Sequence, residues 1–206
     1  MIGVTLGVGD GWKQCAIRTA HRMHQMTGVE SIVIDSAPGW VHPSWAKCRL
    51  WDVVPKDVTD VLYFDADILP MKPWNPLNYA GRDFFYGCRD GGGIDVDNEC
   101  ATHELCRDQY LNMGLFIAPR SMRNLMGMAE TYHPKLGRWL EQTALNKCLQ
   151  AFCAQLTVEH NTLLWPGQDD YSPEALRGRS EINLHAASLG GDWRTLSRIQ
   201  DAAGIP

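Results

Sequence analysis

Apolar residues along this chain fall into short unbroken runs, separated by segments where they recur at helical spacing. Ile2 to Val8 reads as a first strand that ends in Gly9-Asp10-Gly11. Trp12 to Met26 reads as a helix, with Cys15, Ile17, Ala20, Met23 and Met26 as an approximate inner stripe and Gly28 as its stop. Ser31 to Asp35 is a short apolar strand, Pro38-Gly39 a turn, and Pro43 to Trp51 a short helix carrying Lys47 and Arg49. Val61-Leu62-Tyr63-Phe64 is an unbroken apolar run, the pattern of a strand buried on both faces. Strand, helix, strand, helix, strand in this order predicts an α/β fold: a mostly parallel, doubly wound central sheet with flanking helices, in a single domain over residues 1–206.

The middle of the chain is less regular. Asp83 to Cys88 reads as a strand, and the polar, glycine-rich stretch 89–109 as a mobile loop. Tyr110 to Ala118 is a strand with Asn112 and Gly114 inside it; glycine there marks close approach of backbone to a ligand. Ser121 to Tyr132 and Leu136 to Phe152 are helical, and 161–173 is turn-rich. Ile182 to His185 is a short apolar segment ending in a histidine, and a last helix starts near Thr195.

The chemistry concentrates where the run at 61–64 meets Asp65-Ala66-Asp67. Ionised carboxylates are too costly to bury unpaired, so this pair must emerge at a sheet edge or meet a cation. Residues two apart on a strand point the same way, which aims Asp65 and Asp67 at one spot and Ala66 away from it. Paired carboxylate oxygens suit Mg²⁺ or Mn²⁺, which leave positions open for diphosphate oxygens. Pro70, Pro73 and Pro76 end the strand, and carboxyl ends of strands are where open α/β sheets bind ligands.

Bulk properties narrow the reading. A net charge of −5 argues against a general basic surface for nucleic acid. No run of 18 apolar residues predicts a membrane span, and the N-terminal residues lack a signal-peptide pattern. Seven cysteines, an odd and scattered set, favour free thiols and a cytoplasmic setting. Cys88, Cys100, His103 and Cys106 raise the question of zinc, although their spacing matches no common finger.

Four segments in order now resemble one family. Tyr63-Phe64-Asp65-Ala66-Asp67, Leu111-Asn112-Met113-Gly114, Glu141-Gln142-Thr143-Ala144-Leu145-Asn146 and the stretch from His185 to Trp193 are similar to motifs of the glycogenin-like and lipopolysaccharide galactosyltransferase-like glycosyltransferases of family 8, with a GT-A fold. The likeness spans roughly residues 1 to 195. It implies a metal-dependent transferase that moves a sugar from a nucleotide-diphosphate sugar, UDP-sugar above all, with retention.

By this resemblance Asp65, Asp67 and His185 bind Mn²⁺ or Mg²⁺. Thr5, Leu6, Gly7, Asp10 and Trp12 form the nucleoside-binding turn, and Ala66, Asn112, Gly114 and Gly190 line the donor. Glu141 and Gln142 lie beneath the sugar near its anomeric carbon. The family's late Lys-Pro-Trp is Gly191-Asp192-Trp193 here, so Lys47 or Arg194 must supply the positive charge to the diphosphate; the family's Asp-Gln-Asp ends in Thr143. Taken without the resemblance, His185 also reads as a satisfied sheet-edge histidine, and Glu141 and Gln142 as a helix's first turn.

The acceptor stays open between a glycan, a small molecule, a protein and modified DNA. Competing readings are a virus-type transferase acting on hydroxylated bases in DNA, a non-catalytic GT-A-like nucleotide-binding domain, and more distantly a nucleotidyltransferase.

Overall fold

The computed structural model describes residues 1–36, 42–135, 140–165, 168–186 and 192–206. Ile2–Leu6 (β1), Ser31–Ile34 (β2), Asp60–Phe64 (β3), Phe85–Arg89 (β5), Leu111–Pro119 (β6) and Cys153–Leu156 (β7) form a six-stranded sheet in the order β2-β1-β3-β6-β5-β7. Pairing is parallel except along β6, which runs against both β3 and β5. Ile68–Pro70 (β4), Thr162–Leu164 (β8) and Asn183–Ala186 (β9) make a second sheet, ordered β4-β9-β8.

The helices are Asp10–Thr27 (α1), Leu50–Val53 (α2), Gly93–His103 (α3), Arg123–Met128 (α4), Leu140–Leu149 (α5), Pro173–Arg177 (α6) and Trp193–Ala202 (α7). The expected α/β fold with a mostly parallel central sheet is therefore observed. Among the described residues, no helix is long and apolar enough to cross a membrane.

β3 is buried throughout. Val61 and Tyr63 pack into one apolar cluster and Leu62 and Phe64 into another, so the strand joins the layers on both sides of the sheet. Such two-sided burial suits an unbroken apolar run. α1 lies against β1, and Gly7 is the residue that permits it: a Cβ there would stand 2.7 Å from the Cβ of Ala16 and 2.8 Å from the Cα of Lys13. The helix ends at Gly28, whose φ of 73° suits glycine and whose N–H donates to the carbonyl of His24 at 2.7 Å.

Two expectations need correction, and three short strands went unread. The stretch 89–109 is not a loop: it holds α3 and a 3-10 turn at Arg107–Gln109. Val96 and Cys100 of α3 pack with Tyr110, which gives this polar segment the apolar anchor its glycines concealed. The segment Pro43–Arg49 is a 3-10 turn, with α2 confined to the next four residues. β4, β7 and β8, of three or four residues each, carry too little pattern to stand out in the sequence.

Candidate metal and nucleotide-sugar site

The Asp65-Ala66-Asp67 triplet lies beyond the end of β3, in the turn that leads into β4. The two carboxylates do not converge through strand alternation, as the sequence pattern suggested. They converge because the turn is tied down from beneath. The Ala66 carbonyl accepts from Thr19 Oγ1 of α1 at 2.7 Å, and Gln200 Nε2 of α7 bonds that same hydroxyl at 3.0 Å. The Asp65 N–H donates to the Gly114 carbonyl at 2.7 Å. Ala66 is buried among Leu69, Leu184 and Leu196, so both acids face the opposite way.

The second sheet delivers the imidazole. β4 and β9 pair antiparallel with Ile68 opposite His185, and the Ala186 N–H donates to the Asp67 carbonyl at 3.0 Å. His185 Nε2 thereby stands 3.2 Å from Asp67 Oδ1, without the alignment of a hydrogen bond. Ligand atoms of Asp65, Asp67 and His185 all lie within 4.8 Å of one another, which makes them, among the described residues, the one group of three or more metal-ligating side chains so gathered.

The site is electrostatically loaded. Lys47 is buried and donates to Asp65 Oδ2 at 3.0 Å and to Glu141 Oε1 at 3.3 Å. Tyr63 donates its hydroxyl to Asp65 Oδ1 at 2.5 Å. Burial raises the Asp65 carboxyl; Lys47 opposes this and neighbouring Asp67 adds to it. Burial would lower the Lys47 ammonium, but Asp65 and then Glu141 outweigh it and hold it above its ordinary value. His185 is likewise lowered by burial and raised more by Asp67.

Asp65, Asp67 and Glu141 against Lys47 leave two negative charges, which a divalent cation bound through the unprotonated imidazole would balance. Asp67 Oδ1 and His185 Nδ1 are buried with no hydrogen-bond partner. Carboxylate oxygen and imidazole nitrogen are donors that Mn²⁺ accepts. The residues present fit such an ion.

A cleft of about 290 Å³ opens above the pair, lined by Leu6, Val8 and Trp12 on one side and Pro43 and Ser44 on the other. Leu6 and Trp12 were expected there, and Val8 lies within the same expected turn. His42, Pro43 and Ser44 were not expected, although His42-Pro43-Ser44 has the local signature of a helix start, and His42 caps the 3-10 turn through Ser44 N–H. Thr5 is fully buried and its hydroxyl has no partner. Asp10 is exposed at the start of α1. The glycine at 7 gives α1 the room to pack against the end of β1.

The remaining expected residues fall into two groups. Asn112 and Gln142 belong to a buried network centred on Asp90, whose Oδ2 accepts from both, at 3.1 and 2.8 Å. Gln142 Oε1 also accepts from the Met113 N–H at 3.0 Å, and Asn112 Oδ1 from the Gly114 N–H at 2.9 Å. Asp90 escaped the sequence reading because nothing local marks it.

Arg194 is exposed on α7 with its guanidinium 4.7 Å from the Trp193 ring, and that ring stands against Gly11 beside Trp12. Asp192 caps α7 by accepting from the N–H groups of Arg194 and Thr195. Gly190 and Gly191 lie outside the described residues. The zinc candidates do not assemble: Cys88 donates to the Thr157 carbonyl, His103 sits 3.5 Å from Glu99, and Cys106 is exposed.

Solved glycosyltransferases share this architecture. The galactosyltransferase LgtC, in complex with donor and acceptor sugar analogues, is 13% identical with a TM-score of 0.69, the match covering 98% of this chain and 95% of that one. A glycosyltransferase involved in glycosylation of the major capsid of PBCV-1 is 10% identical with a TM-score of 0.65, covering 100% and 99%. GlyE of Streptococcus pneumoniae TIGR4 is 14% identical with a TM-score of 0.58, covering 100% of this chain and 60% of that one. No protein-family model and no curated protein matches the sequence. At these identities the likeness is one of fold, and the fold is the GT-A type that the sequence motifs implied.

Proposed function

We propose that this chain is a divalent-metal-dependent glycosyltransferase that takes a sugar from a nucleotide-diphosphate sugar, UDP-sugar first, and passes it with retention to an acceptor. One observation carries the reading. Asp65 and Asp67, at the floor of a cleft, are joined by His185 from far along the chain, and a carboxylate oxygen and an imidazole nitrogen of the group are left without a hydrogen-bond partner. Asp65, Asp67 and His185 would hold Mn²⁺ or Mg²⁺, which when bound would supply Lewis-acid neutralisation of the departing diphosphate.

The chain's own residues do the rest. Leu6, Val8 and Trp12 offer an apolar wall against which a nucleobase can stack. Asp10 accepts from base or ribose. Tyr63 and Lys47 fix the Asp65 carboxylate in one rotamer, so the ligand oxygens are arranged before the donor arrives. Lys47, held between Asp65 and Glu141, carries positive charge into the site, and Arg194 adds a second cation at the rim. Glu141 faces the sugar through the Lys47 bridge. Both ends of the Gln142 amide are engaged by Met113 and Asp90, so it acts by positioning α5 and the donor side of β6. Ala66, Asn112 and Gly114 shape the floor, and Gly190 belongs to the same donor side.

The test is hydrolysis of a panel of UDP-, GDP- and CDP-sugars by folded protein with Mn²⁺ and with chelator. Metal-dependent release of sugar from one donor supports the proposal. Nucleotide binding by calorimetry without turnover of any donor would favour a non-catalytic nucleotide-binding domain. That reading draws on Gly191-Asp192 standing where the family pattern has Lys-Pro, and on Thr143 standing where it has its last acid.

A further inference from the structure

β6 carries three residues that β5 does not match. Gly87 pairs with Phe116 and Cys88 with Asn112, so Met113, Gly114 and Leu115 bulge out of the ladder on that side. Bulges re-aim the chain beside functional sites. Gly114 does so here: its carbonyl accepts from the Asp65 N–H at 2.7 Å, and its bare Cα makes room for the His185 ring. The bulge therefore touches both the acid and the imidazole of the metal-ligating group.

Two backbone N–H groups of the bulge are met by side-chain carbonyls instead of a strand. The Met113 N–H donates to Gln142 Oε1 at 3.0 Å, and the Gly114 N–H to Asn112 Oδ1 at 2.9 Å. A carboxamide has one accepting end and one donating end. The backbone takes the oxygen of each, which leaves both NH2 groups to find an acceptor. They find the same one: Asp90 Oδ2 accepts from Gln142 Nε2 at 2.8 Å and from Asn112 Nδ2 at 3.1 Å. The other oxygen, Oδ1, accepts from the Gly92 N–H at 2.8 Å. Only an acid accepts at both oxygens; an amide at 90 would set donor against donor. Asp90 is buried and itself pinned, its N–H on the Tyr110 carbonyl at 2.9 Å and its carbonyl on Arg107 Nη1 at 2.7 Å.

We infer that Asp90 is a positioning residue for the metal-ligating group, although it lies outside that group. It fixes the orientation of Asn112 and Gln142, these hold the Met113-Gly114 bulge, and the bulge seats Asp65 and His185. The inference rests on the metal site proposed above.

Two variants test it. Asp90→Asn keeps the shape and turns an acceptor into a donor; Asp90→Glu keeps the charge and moves it by one methylene. In metal-free protein, amide hydrogen exchange followed by NMR should quicken about tenfold at Met113 and Gly114 in both variants, relative to Val4 on β1, the scale of losing a hydrogen bond to a charged group. A loss of stability spread over the whole fold would speed all three amides alike. Calorimetric titration with Mn²⁺ alone should show about tenfold weaker binding in both, the lower end of the range for supports behind metal ligands. Unchanged exchange at Met113 and Gly114 relative to Val4, or wild-type Mn²⁺ affinity in a folded variant, overturns the inference. So does a loss in Asp90→Asn that is absent from Asp90→Glu, because that is an effect of charge alone. If Asp90→Asn does not fold, Asp90→Glu carries both readings. Wild-type protein that binds no Mn²⁺ would count against the metal site itself, and the exchange rates would still decide whether Asp90 holds the bulge.

Discussion

The ring of His185 occupies the space that the missing side chain of Gly114 leaves open. A Cβ on Gly114 would stand 2.8 Å from His185 Nδ1, closer still to Cε1, and 2.9 Å from Asn112 Oδ1. The glycine on β6 and the histidine on β9 thus fit as a pair, with the ring set beside Asp67. Gly114→Ala should push the imidazole off the carboxylates while leaving every ligand in the chain. Losses on displacing a metal ligand's support run to about 10–100-fold in affinity. Calorimetric titration with Mn²⁺ measures it, and wild-type affinity in this variant would remove His185 from the coordination set.

Asp67→Asn tests the acid itself. The substitution keeps shape and removes one charge from a site whose balance calls for two. Metal-dependent donor hydrolysis should fall by at least about 100-fold, the scale of losing one electrostatic stabiliser of a developing negative charge. Full turnover in a steady-state assay would show that Asp67 stands outside the reaction.

Lys47 makes a different prediction, because it compensates the acids from inside. Lys47→Met leaves Asp65 and Glu141 partly buried and facing each other without their shared cation. Breaking a buried pair by removing one partner costs about 3–5 kcal/mol, and urea denaturation should register a loss on that order. A divalent cation beside Asp65 would replace part of the missing charge, so Mn²⁺ should raise the Tm of the variant more than that of wild type. An equal rise in both would contradict placement of the ion next to Asp65.

His160 predicts a pH dependence of stability away from the site. Burial lowers its pKa below the ordinary 6.5, with contacts to Thr157 and Glu159 opposing only in part, and its ring packs edge-on to Trp74. The folded state therefore holds the ring neutral where the unfolded chain begins to protonate it. The contribution to stability is intact above 6.5 and is lost as pH falls through the folded value. Urea midpoints of wild type should drop between neutral pH and pH near 5 more steeply than those of His160→Gln. Parallel curves would show that His160 does not titrate on unfolding in that window.

How much of this was visible in the sequence follows from the range of the interactions. β3 was legible because four consecutive buried apolar residues, Val61 to Phe64, leave an unmistakable run. The acids after it were legible because so costly a pair needs a reason. β6 and α1 followed from the same local logic. The second sheet was not legible, since β4 and β8 are three residues long, yet it brings His185 to Asp67.

Contacts that cross the chain left no local mark either. Lys47 reads as a surface cation until it is seen 94 residues away against Glu141, and Asp90 reads as part of a polar loop until Asn112 and Gln142 are found on it. The glycine at 7 carried an ambiguous signal, because glycine suits both ligand approach and tight helix packing, and the closeness of Ala16 and Lys13 that requires it is invisible in the sequence.

Anomalous scattering from crystals grown with Mn²⁺ and UDP tests the central claim most directly. The account predicts a single strong Mn²⁺ peak within bonding distance of one oxygen each from Asp65 and Asp67 and one nitrogen of His185, with diphosphate oxygens completing the sphere. UDP bound with the ion elsewhere, or with Lys47 alone meeting the two acids and no ion between them, would contradict it.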